Sequence, residues 1–374
     1  MKVCIIGWYG TETLGDRAIL DGIFWILDDV FSNYQIYLGS LYPFFTERTL
    51  YEDKELVKKH NIKDNIILFD ERSKKQLYNA IEESDIVMMG GGPLMDIREL
   101  FLIKRAFIYA KKKTKKTVLF GCGVGPLNDS LYISCFKEIV KNTDVCIFRD
   151  VFSQEECTRL TGRKEDSYVL QDPAILSVYN YKKNNCAEKI NNSLVINMRE
   201  ITAEYGENTA FVEKYLKNII IQARNRYEII TLMPMHSFFI GGDDRIFLSK
   251  LCNESDMKNI KIISNPLGLI HLYKEYMNAE ACIGMRYHSV VMQIILNGNN
   301  AVLDYTDARK GKIIGFLENL NTDFYKKRYI NLQKMTKIDT DVFYEELMTN
   351  NAYNYQLNDE KVMSEYKKLI LRLV

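Results

Sequence analysis

The sequence is poor in the residues that form metal and redox centres. It has four histidines in 374 residues, and its eight cysteines stand singly at positions 4, 122, 135, 146, 157, 186, 252 and 282. No two cysteines have the close spacing of a zinc site or a redox motif, so we assign no metal. Scattered thiols inside apolar runs predict reduced, buried cysteines and a cytoplasmic protein.

The sequence also lacks net charge and long apolar runs. Lys and Arg total 50 against 49 for Asp and Glu, a balance that would not hold a polyanion, so we expect no nucleic-acid partner. No apolar segment approaches the roughly 20 residues of a membrane span, and the stretch before Gly7 is too short for a signal peptide. A lipid-linked substrate would therefore be met by peripheral contact at the inner face of the membrane. The basic run 111–116 is interpreted as a solvated helix end, with contact to anionic headgroups as the alternative.

Short β-branched runs alternate with longer amphipathic runs, a pattern typical of parallel sheets with crossover helices. The predicted strands are 2–8, 34–40, 65–70, 85–90, 117–123, 145–150, 167–170, 193–199, 227–235, 260–265, 281–285 and 301–305. The length exceeds that of one usual hydrophobic core. The predicted fold class is therefore α/β, with two doubly wound Rossmann-type domains. We assign residues 1–178 to the first domain, 179–192 to a linker, 193–330 to the second domain and 331–374 to closing helices.

Three glycine-rich segments of the first half follow predicted strands. GWYGTETLGDRAIL (7–20) follows the first, GGGPLMD (90–96) the fourth and GCGVGPL (121–127) the fifth. Ligands of open α/β sheets bind outside the carboxyl ends of the strands, and glycines let the backbone approach them closely. The alternative is a set of tight turns with Asp16 as a helix cap. The spacing is not that of a dinucleotide fingerprint.

The segment FRDVFS (148–153) follows the sixth strand. Arg149 in this segment could reach an anion, or it forms a local ion pair that contributes little. Asp172, which begins DPA after the seventh strand, is given a structural role more readily than a catalytic one.

In the second half, cationic side chains follow predicted strands. Arg199 lies past the first of them, and His236 lies past the second, before Asp243 and Asp244 open a helix. GMRYHS (284–289) is the motif that indicates a ligand site most clearly. His288 would lie at the N-terminus of the apolar helix SVVMQIILNG, where negative charge is favoured. A lone histidine is more often a core or capping residue. Here, however, Arg286 adds a fork of donors suited to carboxylate or phosphate.

Together these motifs resemble those of the polysaccharide pyruvyl transferase family. The resemblance rests on the segments quoted above, with MPMHS and its downstream DD, and with DYTDARKGKIIGFL (304–317) after GMRYHS. They stand in the family's order over about residues 1–320, and the R-x-H before an apolar helix is the most specific element. Two positions depart from the pattern: Thr13 stands where the family usually has Asn, and Arg17 where it has an acidic residue.

The resemblance implies a GT-B-like pair of domains and a transferase. Such an enzyme moves a pyruvyl group from phosphoenolpyruvate onto two hydroxyls of one sugar, forming a cyclic ketal and releasing phosphate. The acceptor would be a surface polysaccharide, such as a capsule or an exopolysaccharide, or its lipid- or nucleotide-linked precursor. Phosphoenolpyruvate is a co-substrate and no cofactor is expected. The oligomeric state stays open, with a homo-oligomer among the alternatives.

The resemblance also suggests roles for the motif residues. His288, as general acid or phosphate ligand, and Arg286 would be catalytic, because the donor's methylene carbon must gain a proton. The second domain would bind the donor through Arg199, Arg286, His288, Ser289 and His236. The first domain would bind the acceptor through Gly10, Thr13, Asp16, Gly91, Gly92, Asp96 and Arg149.

Two other functions fit the same pattern. A nucleotide-sugar glycosyltransferase of this architecture would also place a basic residue at a helix N-terminus, but it is expected to carry a ribose-binding Glu in the following helix. VVMQIILNG has no acidic residue. A sugar or nucleotide sensor that has lost turnover is the other alternative, which the departures at Thr13 and Arg17 keep open.

Overall fold

The computed structural model describes residues 1–202, 209–238, 242–253, 259–265, 268–307, 311–320, 322–335 and 340–374. The strands are β1 (Lys2–Ile6), β2 (Gln35–Ser40), β3 (Ile67–Asp70), β4 (Ile86–Leu94), β5 (Lys116–Val124), β6 (Val145–Phe148), β7 (Ser167–Val169), β8 (Ile190–Ile196), β9 (Ile229–Leu232), β10 (Ile260–Ile262), β11 (Ala279–Gly284), β12 (Asn300–Asp304) and β13 (Tyr329–Asn331). The helices are α1 (Leu14–Val30), α2 (Pro43–Glu52), α3 (Lys54–Val57), α4 (Lys74–Glu83), α5 (Leu100–Lys112), α6 (Ser130–Lys141), α7 (Val151–Thr161), α8 (Pro173–Asn184), α9 (Thr209–Arg224), α10 (Asp244–Asn253), α11 (Leu269–Asn278), α12 (Tyr287–Leu296), α13 (Lys312–Leu317), α14 (Thr322–Tyr325), α15 (Asp341–Met348) and α16 (Asp359–Leu371).

The chain divides into two compact units. The N-terminal unit comprises Met1–Glu12, Asp16–Ser177 and Asn358–Val374, and the C-terminal unit comprises Thr13–Gly15 and Val178–Leu357.

The N-terminal unit is built on a parallel sheet with the strand order β3-β2-β1-β4-β5-β6-β7. Its β-branched and apolar strand residues are buried, and the apolar sides of α4, α5 and α6 add Leu77, Ile103 and Phe136 to one core. The strand order reverses between β1 and β4, which are paired. Such a reversal leaves a crevice at the carboxyl ends of the two strands, where ligands of this fold class bind.

The C-terminal unit repeats this arrangement with the order β10-β9-β8-β11-β12-β13, again all parallel. Its reversal lies between β8 and β11. The helix that follows β11, α12, is buried nearly all round, which explains why its sequence is apolar without a polar face. The predicted fold class, two doubly wound α/β domains, is confirmed.

Most of the glycines predicted to form turns after two strands lie inside the strands instead, and Gly125 directly follows β5. β4 runs through Gly91 and Gly92 and stays paired with β5 to its end. Both residues have positive φ, and a Cβ would lie 2.4 Å from Ile19 at Gly91 and 2.3 Å from Trp8 at Gly92. Glycine is needed there because neighbouring side chains of the same unit pack onto the strand.

The predicted linker 179–192 is mostly regular structure. α8 continues through Asn184 and β8 begins at Ile190, so 185–189 is the part of this segment outside helix and strand. The polar composition predicted a loop, but Tyr179 and Tyr181 fix the helix by packing against other aromatic rings of the C-terminal unit. The chain passes between the units at Ser177 and Val178.

The segment after residue 320 also differs from the prediction. β13 pairs with β12 and extends the sheet, although three residues are too few to show a strand pattern in the sequence. The closing helices 331–374 are not a separate body. α15 belongs to the C-terminal unit, while α16 belongs to the N-terminal unit, where Tyr366 packs against Phe120. No helix in the described ranges combines the length and apolarity needed to cross a membrane.

A buried histidine joins two carboxylates in the N-terminal unit. His60 Nδ1 lies 2.6 Å from Asp28 Oδ2, and its Nε2 lies 3.1 Å from Asp21 Oδ1. Burial alone would lower the pKa of His60, but the hydrogen bonds and charges of the two aspartates outweigh it and raise the pKa to about 9. His60 is therefore a doubly donating imidazolium at neutral pH.

The contacts of His60 with Asp21 and Asp28 predict a loss of stability at alkaline pH. Because the pKa of His60 is raised in the folded state, its contribution is complete below its ordinary pKa of about 6.5 and is lost as the pH rises through about 9. The His60→Gln variant, which does not titrate, should lose less free energy of unfolding than the parent between about pH 7 and pH 10. Urea unfolding at several pH values measures this, and equal losses in both proteins would assign the effect to other groups.

Candidate active site

The predicted donor residues lie at the strand-order reversal of the C-terminal unit. Arg199 follows β8 and Arg286 follows β11. Asn197, which is fully buried, ties the strand ends together: its N–H donates to the Ile283 carbonyl at 2.8 Å and its Nδ2 to the Met233 carbonyl at 2.8 Å. Its Oδ1 accepts the backbone N–H of Arg286 at 2.9 Å. The first residues after β8, β9 and β11 are thereby held in register.

A buried carboxylate fixes the side chain of Arg286. Asp244, at the start of α10, accepts Arg286 Nε at 2.7 Å through Oδ2 and Arg286 Nη2 through Oδ1. Asp244 Oδ2 also accepts the backbone N–H groups of Met235 at 3.0 Å and His236 at 3.1 Å. The side chain of Asp244 is 2% exposed and that of Arg286 15%. One edge of the guanidinium is thus held by the protein, which orients the remaining donors.

His236 lies in the segment that Asp244 holds. It is buried, its carbonyl accepts the N–H of Asp244, and it forms an antiparallel bridge with Thr13. The N–H of Leu14 donates to the Met235 carbonyl at 3.1 Å. Thr13, assigned from the sequence to the acceptor domain, therefore groups with the predicted donor residues in the C-terminal unit.

His288 occupies the first turn of α12. Its ring meets that of Tyr287 edge-on at 4.9 Å, and the side chain is half-buried. A Cβ at Gly15 would lie 2.0 Å from His288 Nδ1, so glycine is required where the chain passes this imidazole. The first N–H groups of a helix have no intrahelical acceptor, and with the helix dipole they favour an anion near His288.

The side chain of Ser289 faces the protein interior. It is fully buried, and its Oγ lies 2.7 Å from the hydroxyl of Tyr276. The third position of a helix points this short side chain into the packed interior, which the motif alone does not indicate. The hydroxyl of Ser289 is thus bonded within the protein, and the donor contact predicted for this residue stays a prediction, which its backbone N–H in the first turn of the helix could fulfil.

Three cationic side chains surround one buried tyrosine. The guanidinium of Arg199 lies 5.2 Å and Lys312 Nζ 5.8 Å from the ring centre of Tyr305, which is 2% exposed. Arg286 is close enough to act on the same phenol electrostatically. We call Arg199, Arg286 and Lys312 the cation cluster. Within the described part of the chain, no three histidine, cysteine or carboxylate side chains group as metal ligands would.

The cation cluster changes the acidity of Tyr305. Burial alone would raise the pKa of this phenol, but the charges of Lys312, Arg199 and Arg286, with a hydrogen bond from Arg199, outweigh it and lower the pKa to about 8. A low phenol pKa reports a strongly positive potential. The cluster is therefore suited to bind an anion, and to bind it away from bulk water.

The predicted acceptor residues of the N-terminal unit lie in tightly packed backbone. A Cβ at Gly10 would lie 2.5 Å from Ser40 Oγ, and the φ of Gly10 is positive. Asp96 Oδ2 accepts the N–H groups of Asn128 at 2.8 Å and Asp129 at 3.1 Å, which fixes the loop before α6. Packing and loop closure thus account for Gly10 and Asp96, and their contact with an acceptor stays a prediction.

Arg149 is an internal ion-pair residue. Its side chain is 3% exposed, Nη1 lies 3.4 Å from Asp172 Oδ2 and Nε 3.6 Å from Asp150 Oδ2. The guanidinium also covers Gly123, where a Cβ would lie 2.6 Å from Nη2. The geometry matches the local ion-pair interpretation and opposes direct contact with a sugar, because the charge is already neutralised under a covering of protein.

The second departure from the family pattern, Arg17, has acidic partners in the same unit. It follows Asp16 in the first turn of α1, and its guanidinium pairs with Glu52 at 3.0 Å and Asp53 at 2.7 Å. The side chain of Arg17 is 8% exposed. The change of charge at this position is therefore compensated locally.

A family model described as polysaccharide pyruvyl transferase matches residues 14–307. The chain belongs to the polysaccharide pyruvyl transferase family. Of the predicted and candidate site residues described above, the match leaves out Gly10, Thr13 and Lys312, and it agrees with the family predicted from the motifs. Residues 308–310 of the motif that begins at Asp304 lie outside the described residues.

Solved structures with a similar fold include two UDP-GlcNAc 2-epimerases. The UDP-GlcNAc 2-epimerase of Methanocaldococcus jannaschii matches with a TM-score of 0.63 at 15% identity, over 99% of this chain and 100% of that one. The UDP-N-acetylglucosamine 2-epimerase of Rickettsia bellii matches with a TM-score of 0.59 at 12% identity, over 100% and 95%. At such low identity the likeness shows the fold, which is GT-B-like. None of the curated proteins compared with the chain matches its sequence.

Sequence reasoning missed four residues of this family member's site: Asn197, Asp244, Tyr305 and Lys312. Asp244 was interpreted as a residue that opens a helix, and Tyr305 and Lys312 lie in a quoted motif without an assigned role. Their position after a strand or at the start of a helix was visible. Their partners were not, because Asp244 and Arg286 are 42 residues apart in the chain.

Arg286→Lys should weaken binding of an anionic ligand while keeping the charge. Lysine cannot form the fork that Arg286 makes with Asp244, so the ligand loses a fixed donor. One lost charge-assisted hydrogen bond, worth about 1.5–3 kcal/mol, corresponds to roughly 10- to 150-fold in affinity for phosphoenolpyruvate. Titration calorimetry measures this. The matched control is Arg226→Lys. Arg226 pairs with Asp341 and lies before β9, at the amino end of that strand, whereas the site residues follow the carboxyl ends of the strands. Unchanged affinity in Arg286→Lys would remove this side chain from the ligand site.

Proposed function

We propose that this transferase moves the pyruvyl group of phosphoenolpyruvate onto two hydroxyls of a sugar in a surface polysaccharide or its precursor. The product is a cyclic ketal, and phosphate is released. The observation that supports this most directly is the cation cluster around Tyr305, beside the reversal of strand order and the first turn of α12.

The charge of the cluster suits this donor. Phosphoenolpyruvate carries a carboxylate and a phosphate on neighbouring atoms, so it needs several fixed positive groups close together. Arg199 and Arg286 offer planar donor forks, and Lys312 adds a compact charge. Fixed cations keep their benefit as charge moves onto the departing phosphate, because they need no reorganisation during the reaction.

The proton for the reaction is assigned to His288. As the methylene carbon of the donor takes this proton, a sugar hydroxyl attacks the adjacent carbon; the bond from that carbon to the phosphate oxygen then breaks, and a second hydroxyl completes the ketal. The two hydroxyl protons leave, one restoring His288 and the other departing with phosphate, so the histidine ends as it began. A histidine holds and releases a proton near neutral pH, as this cycle requires.

The remaining predicted residues support this arrangement. His236, held by Asp244, would lie near the donor and assist proton transfer. The acceptor is assigned to the N-terminal unit, with Asp16, Asp96 and the strand-end glycines as its proposed contacts. Thr13, which bridges His236, is reassigned to the donor side of this proposal.

Thermal stabilisation tests the donor. A ligand that binds only the native state stabilises it by roughly 2.7 kcal/mol at a hundred times its dissociation constant, so phosphoenolpyruvate should raise the melting temperature. Arg286→Ala should abolish the rise, while Arg226→Ala should keep it. A rise with UDP-GlcNAc in place of phosphoenolpyruvate would contradict the proposal and favour a nucleotide-sugar transferase. Against that alternative, α12 has no acidic residue to bind a ribose.

A further inference from the structure

Tyr305 is placed to respond to whatever anion the cation cluster binds. It follows β12 directly, and the guanidinium of Arg199 and the ammonium of Lys312 lie 5.2 Å and 5.8 Å from its ring centre. Gln333, two residues past the adjoining strand β13, donates from Nε2 to the Tyr305 carbonyl at 3.0 Å, which holds the backbone of Tyr305. Arg199 also donates a hydrogen bond to the phenol oxygen. The phenol therefore touches the cluster and has little freedom to leave it.

The charges around the phenol are mostly positive. Arg199 faces it from the end of β8, Arg286 from the end of β11 and Lys312 from the start of α13. Two carboxylates among the described residues have partners of their own: Asp244 is bound by Arg286, and Asp304, which precedes Tyr305 at the end of β12, accepts from Thr306 and from Tyr329. Asp307, two residues after Tyr305, also acts on Tyr329.

We propose that, at alkaline pH, Tyr305 couples donor binding to proton uptake: in the free protein it is largely a phenolate against the cation cluster, and it becomes a phenol when an anion binds. This inference rests on the proposed function only in that phosphoenolpyruvate is taken as the anion. The balance is one proton taken from solvent by the phenol oxygen for each anion bound, with no covalent bond of the ligand changed.

The coupling follows from linkage. The positive charges that lower the pKa of Tyr305 to about 8 are the same charges that would bind the anion. The negative charge of the bound anion then raises the pKa of Tyr305 again. Below about pH 7 the phenol is already protonated and no uptake occurs. Above about pH 8 the apparent affinity falls by up to tenfold per pH unit, because binding consumes a proton.

The role is distinct from simple packing. A tyrosine that only filled space would be replaced by phenylalanine without effect on the pH dependence of binding. In Tyr305→Phe, by contrast, the steep loss of affinity above about pH 8 should disappear, so that the variant binds phosphoenolpyruvate more tightly than the parent at high pH. Tyr305 is thus a positioning and proton-holding residue of the donor site.

The experiment is a titration of the ultraviolet tyrosinate band, with and without ligand. The free parent protein should show one tyrosinate forming near pH 8 that is absent from Tyr305→Phe. The matched control is Tyr329→Phe. Tyr329 donates to Asp304 on the neighbouring strand, and burial raises the pKa of Tyr329. The Tyr329→Phe variant should therefore still show the tyrosinate band that forms near pH 8. In Lys312→Gln, the tyrosinate band should form at a higher pH than in the parent protein.

Phosphoenolpyruvate and inorganic phosphate are each added at about pH 8.5, above the pH at which Tyr305 ionises in the free protein. Calorimetry follows the binding of each anion. Bound phosphoenolpyruvate with loss of the band supports both proposals. Bound phosphoenolpyruvate with an unchanged band overturns the coupling and leaves the function. Bound phosphate with loss of the band, when phosphoenolpyruvate does not bind, supports the coupling and overturns the function. Binding of neither anion overturns both.

Discussion

Replacing His288 with alanine should lower turnover by about 100- to 10,000-fold, the usual contribution of a positioned acid or base. The protein should remain folded, because the imidazole is half-buried at a helix terminus and is not part of the core. The loss should appear in kcat far more than in the affinity for phosphoenolpyruvate, which the cation cluster largely determines. Steady-state phosphate release and calorimetric binding measure the two quantities separately.

Two further variants separate the proton from the side chain. His288→Gln keeps a hydrogen-bonding group but cannot deliver a proton, so it should be nearly as inactive as alanine while binding the donor better. His271→Ala is the matched control, since His271 is exposed on α11. Activity of His288→Gln near that of the parent would assign His288 to phosphate binding and take it out of proton transfer.

Removing the carboxylate of Asp244 should cost both stability and turnover. In Asp244→Ala the guanidinium of Arg286 loses its counter-ion, and the N–H groups of Met235 and His236 lose their acceptor. Breaking a buried ion pair by deleting one partner costs about 3–5 kcal/mol. The site also becomes more positive, so turnover should fall more than the binding of phosphoenolpyruvate, because Arg286 keeps its charge but loses its orientation.

The controls for this prediction are close in the chain. Asp243→Ala removes the neighbouring carboxylate, which pairs with Arg245 and is 14% exposed, so its effect on turnover should be small. Asp244→Asn keeps the shape but cannot accept from Arg286 and the backbone together, so it should fall between parent and alanine. Urea unfolding and phosphate release are measured on all three. If Asp244→Ala lowers the free energy of unfolding by less than about 1 kcal/mol, the ion pair does not stabilise the fold as predicted.

The sequence predicted the site best where function depends on local position. A strand followed by a polar residue and an apolar helix indicates where ligands of this fold class bind, so the positions of Arg199, Arg286 and His288 after strands could be predicted from the sequence. Their contact with a donor stays a prediction. The twelve predicted strands are all present, because parallel strands buried on both faces leave a strong apolar signal.

What the sequence did not predict depends on partners that are distant in the chain. Whether Arg149 faces a ligand or an aspartate depends on Asp172, and whether Ser289 faces the site depends on Tyr276. No residue pattern distinguishes an arginine that binds a ligand from one that a carboxylate has already neutralised. The lowered pKa of Tyr305 likewise requires three cations from three separate segments of the chain.

The glycines illustrate the same limit. Gly91 and Gly92 were interpreted as ligand-facing turns, yet their positive φ values accommodate Ile19 and Trp8 of the same unit. Gly15 is different, because what lies against it is His288, a residue of the proposed mechanism. Glycine marks a close approach in all three cases, and only the structure says what approaches.

The most direct test of the central claim is to follow phosphate and ketal together. The protein is incubated with phosphoenolpyruvate and a panel of nucleotide-linked, lipid-linked and polymeric sugars, and phosphate release is compared with ketal methyl signals in the NMR spectrum. Pyruvyl transfer predicts equal amounts of phosphate and sugar-bound ketal with at least one acceptor, and neither product with His288→Ala. Phosphate accompanied only by free pyruvate, or donor binding without phosphate release from any acceptor, would contradict it.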